Sequence, residues 1–235
     1  MYKFIFFLFF SCTIQLSFAQ AITGNAIPSV QFADANGRLL PASGAGILGT
    51  PYVFEKFGPG KVIFVNGMES MDSSLNYSYF DHKLYFSKSN NLYLVNQQAK
   101  EFILYNVDKE NHKVAKQFKS LFPNVDDNTP ATFYEVLGLT DVFQFLKYTH
   151  KRIKETTVYG SSPTKEYVAD DVFYIYYITD KKMLTLGSSH SLKALKKALP
   201  SYASQMDALA NANKLNLKKA EDVIQLLQQL KTPSN

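Results

Sequence analysis

Apolar and polar residues alternate along residues 75–94, the most regular stretch of the sequence. Alternation sends every second side chain to the same face of a β-strand. With turns at Asp81-His82 and at residues 89–91, it predicts two consecutive hairpins that share one buried face. In this register Phe86 pairs with Tyr77 in the first hairpin and with Leu94 in the second. The predicted core face contains Leu75, Tyr77, Tyr79, Leu84, Phe86, Leu92 and Leu94.

The opposite face of these hairpins carries aromatic side chains among polar residues. Tyrosine suits half-buried sheet positions and protein interfaces. The chain has 15 tyrosines and no tryptophan, and the absence of tryptophan weakens a carbohydrate-binding interpretation. We predict Phe80, Tyr85 and Tyr93 as the candidate binding surface.

Further short segments rich in β-branched and aromatic residues predict strands. They are residues 61–65, followed by the hairpin dipeptide Asn66-Gly67, and residues 101–105, 132–137, 142–153, 172–178 and 183–186. Residues 142–153 also fit a helical spacing, but the neighbouring threonines favour a strand. Between these segments, residues 114–122 predict one short helical face or an irregular segment, formed by Val114, Phe118, Leu121 and Phe122.

Leucines recur at helical spacing near the C-terminal end of the chain. One stripe ends at Pro200 and contains Leu192, Leu195 and Leu199; the next contains Tyr202, Met206 and Leu209. Asn216 is predicted to cap a last helix with an apolar face. The sequence therefore predicts an α+β fold: an antiparallel β-meander, as a curved sheet or partly open barrel, followed by a C-terminal segment of two to three short helices.

The first residues predict an export signal. Lys3 precedes an apolar run at residues 4–10, and Ser17 and Ala19 supply small residues before a cleavage point. Polar residues interrupt the run, whereas a membrane-spanning helix needs roughly 20 apolar residues. We predict a signal peptide at residues 1–19, cleaved near Ala19, and residence in the periplasm, on the outer-membrane surface or outside the cell. Cys12 is a poor match to a lipidation site.

The rest of the chain divides into three parts by composition. Residues 20–50 are rich in proline and glycine and predict an extended N-terminal arm, with a short strand pair across Asn36-Gly37. Residues 51–187 are predicted to form the antiparallel β-rich body. Residues 188–231 form the C-terminal helical segment packed on that body.

Charge and cysteine content narrow the classes of function. The formal net charge is +5, and the basic residues are spread along the chain, unlike those of a nucleic-acid-binding patch. We expect no nucleic-acid partner and at most peripheral contact with a membrane. Cys12 is the only cysteine, so cleavage near Ala19 leaves no residue for a disulfide or a thiolate site.

The sequence contains no local motif for catalysis or for binding of a metal or cofactor. His82, His112, His150 and His190 have no spacing that gathers two imidazoles locally, and each is predicted to lie in a surface loop or turn. The acidic pairs Asp126-Asp127 and Asp170-Asp171 are interpreted as turn and solubility residues, because neighbours on a strand point to opposite faces. We predict no catalytic residue, no metal ligand and no cofactor.

Three stretches resemble a broad family of uncharacterised, signal-peptide-bearing proteins from Bacteroidota. The stretches are Gly49-Thr50-Pro51-Tyr52 leading through Lys61-Val62 to the predicted hairpins, residues 136–177, and residues 213–222 leading into Leu226-Leu227. The resemblance covers residues 50–231 loosely. It implies an exported protein of the cell envelope and supplies no catalytic residues.

These observations lead to one main hypothesis and two alternatives. The main hypothesis is a non-enzymatic binding or assembly module that contacts an unknown envelope protein or polymer through sheet-face aromatics or an edge strand. The first alternative is a hydrolase acting on an envelope polymer, with residues gathered from distant strands. The second is a small-ligand carrier with a cavity in the curved sheet. The sequence specifies neither the partner nor the oligomeric state.

Overall fold

The computed structural model describes residues 32–33, 39–40, 46–88, 91–95, 98–107, 113–157, 159 and 162–231. The predicted signal peptide with Cys12, His112 and most of the predicted arm lie outside these residues. Among the helices that are described, none combines the length and the apolar character needed to cross a membrane.

Strands make up most of the described chain, and three short helices follow them. The strands are β1 (Phe32–Ala33), β2 (Leu39–Leu40), β3 (Ile47–Leu48), β4 (Gly58–Phe64), β5 (Glu69–Ser78), β6 (Lys83–Lys88), β7 (Asn91–Leu94), β8 (Ala99–Val107), β9 (Lys113–Lys119), β10 (Tyr134–Leu139), β11 (Phe143–Thr156), β12 (Thr164–Tyr177) and β13 (Lys182–Gly187). The helices are α1 (Leu192–Ala198), α2 (Ala203–Ala212) and α3 (Ala220–Gln229), with a 3-10 turn at Pro200–Tyr202.

Strands β3 to β13 form one sheet of eleven strands within the described residues. Its order is β13-β12-β11-β10-β9-β8-β4-β5-β6-β7, and β3 lies beside β12 in a parallel pair. Most neighbours in this order are also neighbours in sequence and pair antiparallel, as in a meander. The predicted α+β fold, a β-sheet followed by short C-terminal helices, is confirmed.

Two of the short-range predictions are also confirmed. The β4–β5 turn forms at Asn66-Gly67, where Gly67 has a φ of +85°, a left-handed conformation that glycine adopts without steric cost. The side-chain oxygen of Asn66 accepts the backbone N–H of Met68 at 3.0 Å. In the arm, β1 pairs antiparallel with β2 through Phe32 and Leu40.

Apolar clusters hold the sheet to the elements that cover it. Helices α1 to α3 cover one face of β11 and β12, where the main buried side chains are Phe143, Phe145, Ile175, Leu195, Met206, Val223 and Leu226. A second cluster fills the face formed by β4, β5, β6, β8 and β9, where Phe102 and Phe118 stack at 4.7 Å between ring centroids. Each such buried side chain stabilises the fold by roughly 1.5–3 kcal/mol relative to its exposed state.

Residues 113–119 form the strand β9, so the predicted helical or irregular segment is wrong for residues 114–119, whereas residues 120–122 are irregular. Val114, Lys116 and Phe118 alternate with more exposed neighbours and share one face of this strand. Lys116 on that face is ion-paired with Glu135 at 3.0 Å. A charged residue in the middle of the inward face hides the alternation that would have indicated a strand.

Helix α3 begins at Ala220 with Lys219 as its N-cap residue, so the predicted cap at Asn216 is wrong. The side-chain oxygen of Asn216 accepts the backbone N–H of Lys218 at 3.2 Å. Its own backbone N–H donates to Asp222 at 2.7 Å. Asn216 therefore orders the turn before the helix, a role that asparagine side chains often have.

Candidate interaction site around β7 and the β5–β6 turn

Both predicted hairpins form, but in registers that differ from the prediction. Leu75 pairs with Phe86 in the β5–β6 hairpin, a shift of two residues that keeps the predicted faces. Phe86 pairs with Tyr93 in the β6–β7 hairpin, a shift of one residue. Because a one-residue shift exchanges the two faces of a strand, the predicted placement of Leu92 and Leu94 on the core face is wrong, and Tyr93 lies there instead.

The structure does not bring Phe80, Tyr85 and Tyr93 together on one exposed face. Tyr85 is only 1% exposed. Tyr93 lies on the other face of the hairpin and stacks on Phe86, with ring centroids 5.0 Å apart. Phe80 is half-buried and meets Tyr167 edge-on at 5.8 Å. The prediction that these three rings share one face is therefore wrong for Tyr93.

Tyr85 is buried against residues 51–57, which we call the strap. The strap continues the sheet beside the end of β5, where the backbone N–H of Val53 donates to the carbonyl of Tyr77 at 2.9 Å. The ring of Tyr52 meets that of Tyr85 edge-on at 6.2 Å. Asn76 on β5 fixes the strap further, because its side-chain amide donates to the carbonyl of Phe54 at 2.9 Å.

The hydroxyl of Tyr85 donates to the carboxylate of Asp81 at 2.5 Å. Burial raises the pKa of Tyr85, and the bonded carboxylate of Asp81 raises it further. Tyr85 therefore acts as a neutral donor that fixes the β5–β6 turn. The second carboxylate oxygen of Asp81 and the hydroxyl of Tyr52 are buried without a hydrogen-bond partner among the described residues.

Strand β7 is the outermost strand at one end of the sheet. The backbone N–H of Val95 donates to the carbonyl of Leu84 at 3.0 Å, which makes Tyr85 and Leu94 a non-hydrogen-bonded antiparallel pair. By the two-residue period of a strand, the backbone groups of Leu92 and Leu94 then point away from β6. No other strand among the described residues pairs with these groups, so they form an open edge to which another strand can bind.

A groove of about 340 Å³ adjoins the end of β7. The sheet contributes Leu84, Leu94 and Val95 to its lining, and the chain between β9 and β10 contributes Phe133. Its charged and titratable lining comes from Lys83 and His82, and the lining contains no acidic residue among those described. We call this depression the β7 groove; it is largely apolar, with a cation at its margin.

His82 belongs to a cluster of two histidines and two tyrosines. Its Nε2 lies 3.0 Å from Nδ1 of His150 and 2.9 Å from the hydroxyl of Tyr148. Its Nδ1 lies 3.3 Å from the hydroxyl of Tyr77. Burial and the neighbouring imidazole of His150 lower the pKa of His82 to about 4, although the carboxylate of Asp81 opposes them. His82 is therefore neutral at pH 7.

The arrangement of the two imidazoles is that of a hydrogen bond. Their ring centroids are 5.2 Å apart while the facing nitrogens are 3.0 Å apart, so the nitrogens lie close to the line between the rings. Two imidazoles that share a metal ion instead direct their lone pairs at an angle, toward a point about 2.0–2.1 Å from each nitrogen. No group of three or more His, Cys, Asp or Glu residues in the described part of the chain is arranged to hold a metal ion.

The histidine pair lies at a junction between the β5–β6 turn and β11, which we call the seam. The backbone N–H of Lys151 donates to the carbonyl of Tyr79 at 2.9 Å across it. The ammonium group of Lys151 lies 5.6 Å from the centroid of the Tyr79 ring and donates to the carbonyls of Thr50 and Tyr52 at 2.8 and 2.9 Å. The seam therefore joins the turn, β11 and the start of the strap.

The described histidines occupy three different settings. His82 lies in a turn and His190 in the loop before α1, as predicted, and Nδ1 of His190 lies 2.7 Å from the carbonyl of Leu217. The expectation of a loop or turn is wrong for His150, which lies within β11. Local spacing gave no signal for the pair, because 68 residues separate His82 from His150.

Asp126 and Asp127 lie in a turn, as predicted, whereas Asp170 and Asp171 lie within β12, so their interpretation as turn residues is wrong. Asp126 accepts hydrogen bonds from the hydroxyls of Tyr174 and Thr185 at 3.1 and 3.0 Å. Asp170 pairs with His150 and Asp171 pairs with Thr149 in the β11–β12 register. The two aspartates lie on opposite faces of β12, as predicted. Asp170 pairs with Arg152 at 2.7 Å.

The largest buried charge network is separate from the site around β7. Glu135 on β10 lies 3.0 Å from the ammonium groups of both Lys116 and Lys147. Burial alone would raise the pKa of Glu135, but the two lysines outweigh it and hold that pKa below its usual range. The hydroxyl of Tyr79 also donates to Glu135 at 3.3 Å, so the network supports the inward side of the seam.

Comparison of this chain with protein-family models, with curated proteins and with solved structures found no match. The arguments about function that follow therefore depend on the geometry of β7, its groove and the seam, and on the sequence features already described.

Proposed function

We propose that this chain is an exported protein of the cell envelope and a non-enzymatic binding or assembly module. In this proposal, β7 takes up an extended segment of a partner protein as an additional strand. The observation that carries the proposal is the open edge of β7, with the outward backbone groups of Leu92 and Leu94 beside an apolar groove. Strand addition of this kind obtains affinity from main-chain hydrogen bonds and specificity from side-chain pockets.

The composition of β7 supports this role. Natural proteins usually protect an edge strand with a lysine, a proline or a bulge, because an open edge binds other strands. Residues 91–95 read Asn-Leu-Tyr-Leu-Val and contain neither a charge nor a proline. A strand that is unprotected in this way is suited to pairing with another chain.

Charge complementarity indicates the chemistry of the partner segment. Lys83 and Lys88 are exposed at the two ends of β6, next to β7, and neither forms an ion pair within the described part of the chain. Lys83 also lines the β7 groove. The proposed occupant is an extended segment with apolar side chains for the groove and acidic side chains near its ends.

The export part of the proposal is supported by the sequence. Lys3, the apolar run after it and the small residues before Gln20 have the pattern of a signal peptide. The resemblance to envelope proteins of Bacteroidota agrees with that pattern.

The two alternative functions remain hypotheses with less support. A hydrolase of an envelope polymer would need an acid and a base or nucleophile beside a cleft, and the histidine nearest the β7 groove faces a second histidine and two tyrosines. A carrier would need an apolar cavity under Tyr77. The ring of Tyr77 instead packs against Phe102, Phe118 and Phe133, with centroids 5.2, 5.4 and 6.0 Å away.

The proposal is tested by site-specific crosslinking in the native envelope. A photoreactive amino acid at Leu92 is expected to crosslink to one protein, and mass spectrometry is expected to locate the link in an extended acidic-apolar segment. Leu94→Lys places a charge on the edge and should abolish the crosslink. Leu139→Lys is the matched control, because Leu139 is likewise a leucine at the end of a strand, on β10, and is 55% exposed.

The partner segment found in this way is then synthesised as a peptide and titrated against the purified chain. Binding that weakens in Lys83→Glu and Lys88→Glu, and at high salt, is the expected result. A crosslink unaffected by Leu94→Lys would contradict the proposal. A crosslink to a second copy of the same chain, with a dimer in sedimentation, would replace the partner segment by self-association.

A further inference from the structure

The seam is held by few groups, and the histidine pair is the one whose bonding depends on its protons. Only one hydrogen fits between Nε2 of His82 and Nδ1 of His150, because the two nitrogens face each other at 3.0 Å. In the neutral pair, one nitrogen donates and the other accepts. The pair therefore has a fixed requirement: one of the facing nitrogens has to be unprotonated.

Counting protons shows when this requirement fails. With one added proton, His150 donates from Nδ1 to Nε2 of His82, while Nδ1 of His82 carries its hydrogen toward Tyr77. The bond between the imidazoles is then kept. With two added protons, N–H groups face each other, the hydrogen bond is lost, and two positive charges lie side by side. Such a pair titrates as a unit, and its second proton is the unfavourable one.

The groups around the pair do not relieve this conflict. Tyr77 on β5 and Tyr148 on β11 can each accept a hydrogen from His82. Asp81, in the turn, is bonded to Tyr85, and Lys83 on β6 adds positive charge beside His82. On β12, Asp170 lies opposite His150 in register and is paired with Arg152. None of these groups provides an acceptor between the two facing nitrogens.

We propose that the His82–His150 pair is an acid-sensitive latch, which holds the β5–β6 turn against β11 until both imidazoles are protonated and then releases it. Opening separates the carbonyl of Tyr79 from the backbone N–H of Lys151 and exposes the seam to water. The sheet and the helices stay folded, because their apolar clusters consist of side chains that take up no proton between pH 7 and pH 3. This inference does not depend on a partner strand at β7.

Amide hydrogen exchange of the purified chain between pH 7 and pH 3 tests the latch, with each rate corrected for its intrinsic pH dependence. The burial that lowers the pKa of His82 to about 4 sets the range. The open seam returns His82 to its ordinary pKa of 6.5, so the backbone amide of Lys151 is expected to exchange up to about tenfold faster for each pH unit between 6.5 and about 4, and to level off below that. Amides of β8, such as that of Phe102, serve as the internal reference and should stay protected.

Substitutions of the histidines distinguish selective opening of the seam from general unfolding of the chain in acid. His150→Gln keeps a side-chain oxygen that accepts from protonated His82, so the seam should stay closed at pH 3 to 4. His82→Asn is a second variant, chosen because His82 has a φ of +57° and asparagine tolerates that conformation. It should also remove the selective opening. His190→Gln, on a histidine bonded to Leu217 far along the chain, should open as the unmodified chain does.

Three results would overturn the inference. The first is exchange of the Lys151 amide that stays equally slow down to pH 3, and the second is exchange that rises equally in the seam and in β8. The third is a seam that opens in both His150→Gln and His82→Asn as it does in the unmodified chain.

Discussion

Gly138 of β10 lies directly against Ile224 of α3. A Cβ atom built on Gly138 would come within 2.7 Å of Cδ1 of Ile224, far inside van der Waals contact. The glycine also sits where the β10–β11 register shifts, between Val136 and Gly138. The close approach of sheet and helix at this point therefore depends on the missing side chain.

Gly138→Ala is expected to lower the free energy of unfolding by about 1–3 kcal/mol, as overpacking in a filled interface does. Urea unfolding followed by far-UV circular dichroism measures the loss. The double variant Gly138→Ala/Ile224→Ala removes the overlap and should be more stable than the sum of the single losses predicts. Strictly additive losses would show that the two residues are not coupled.

Glu135→Gln is expected to destabilise the fold at pH 7 because it leaves Lys116 and Lys147 without their counter-charge. Breaking a buried pair in this way typically costs about 3–5 kcal/mol, and we expect about 2–4 kcal/mol because both lysines retain some access to water. Their side chains are 26% and 18% exposed. Urea unfolding again provides the measurement.

Glu101→Gln is the matched control for this change. Glu101 has one lysine partner, Lys119 at 3.7 Å, and its side chain is 20% exposed against 8% for Glu135, so its replacement is expected to cost less than that of Glu135. Equal losses in the two variants would contradict the structural role given to Glu135.

The same carboxylate predicts a loss of stability in acid. Because the pKa of Glu135 is held below its unfolded value of 4.5 by the two lysines, against the effect of burial, its contribution is present above that pH. The contribution declines as the pH falls through the lower folded value. Unfolding free energies measured from pH 5 downward should fall less steeply in Glu135→Gln, and an unchanged slope would contradict the prediction.

Protonation linked to His82 is expected to lower the stability of the fold at a higher pH than protonation of Glu135. Burial and His150 lower its folded pKa from 6.5 to about 4, so the unfolded chain takes up a proton first. The stability due to neutral His82 is complete above pH 6.5 and declines as the pH falls from there to about 4. Urea midpoints between pH 7 and pH 4.5 should decline less in His82→Asn. A parallel decline in the variant would show that other groups cause it.

Tyr85→Phe is expected to destabilise the β5–β6 turn by about 1–3 kcal/mol, because it removes a hydrogen bond to a charged acceptor in a buried setting. The hydroxyl of Tyr85 supplies the one hydrogen bond that the described residues make to the Asp81 carboxylate. Tyr93→Phe removes a hydroxyl from a half-exposed ring on the other face and should change stability by less than about 0.5 kcal/mol. Equal effects of both changes would contradict this role of Asp81.

The hairpins show how far an alternating pattern determines a sheet. The faces of β5 and β6 could be predicted, because the observed register differs from the predicted one by an even number of residues. The faces of β7 could not, since they depend on whether the loop after Lys88 has two residues or three. That choice is decided by which of Leu94 and Tyr93 packs better beside Phe86, and composition does not distinguish the two.

Strand β9 and the histidine pair were missed for different reasons. In β9, the inward Lys116 is stabilised by Glu135, a residue on another strand, so its burial has no local signal. His82 and His150 meet only because the sheet brings the β5–β6 turn to β11. The spacing of histidines along the sequence carries no information about contacts between residues that are far apart in the chain.

The attachment of residues 47–52 has a mechanical consequence. Strand β3 runs parallel to β12, and just after it Lys151 holds the carbonyls of Thr50 and Tyr52, contacts that span 101 and 99 residues of sequence. Tension applied through the N-terminal residues would act in shear on the β3–β12 hydrogen bonds and on the two hydrogen bonds of the Lys151 ammonium group. The force would then pass into β11 and β12, the longest strands of the sheet, and the short hairpin of β6 and β7 would stay unloaded.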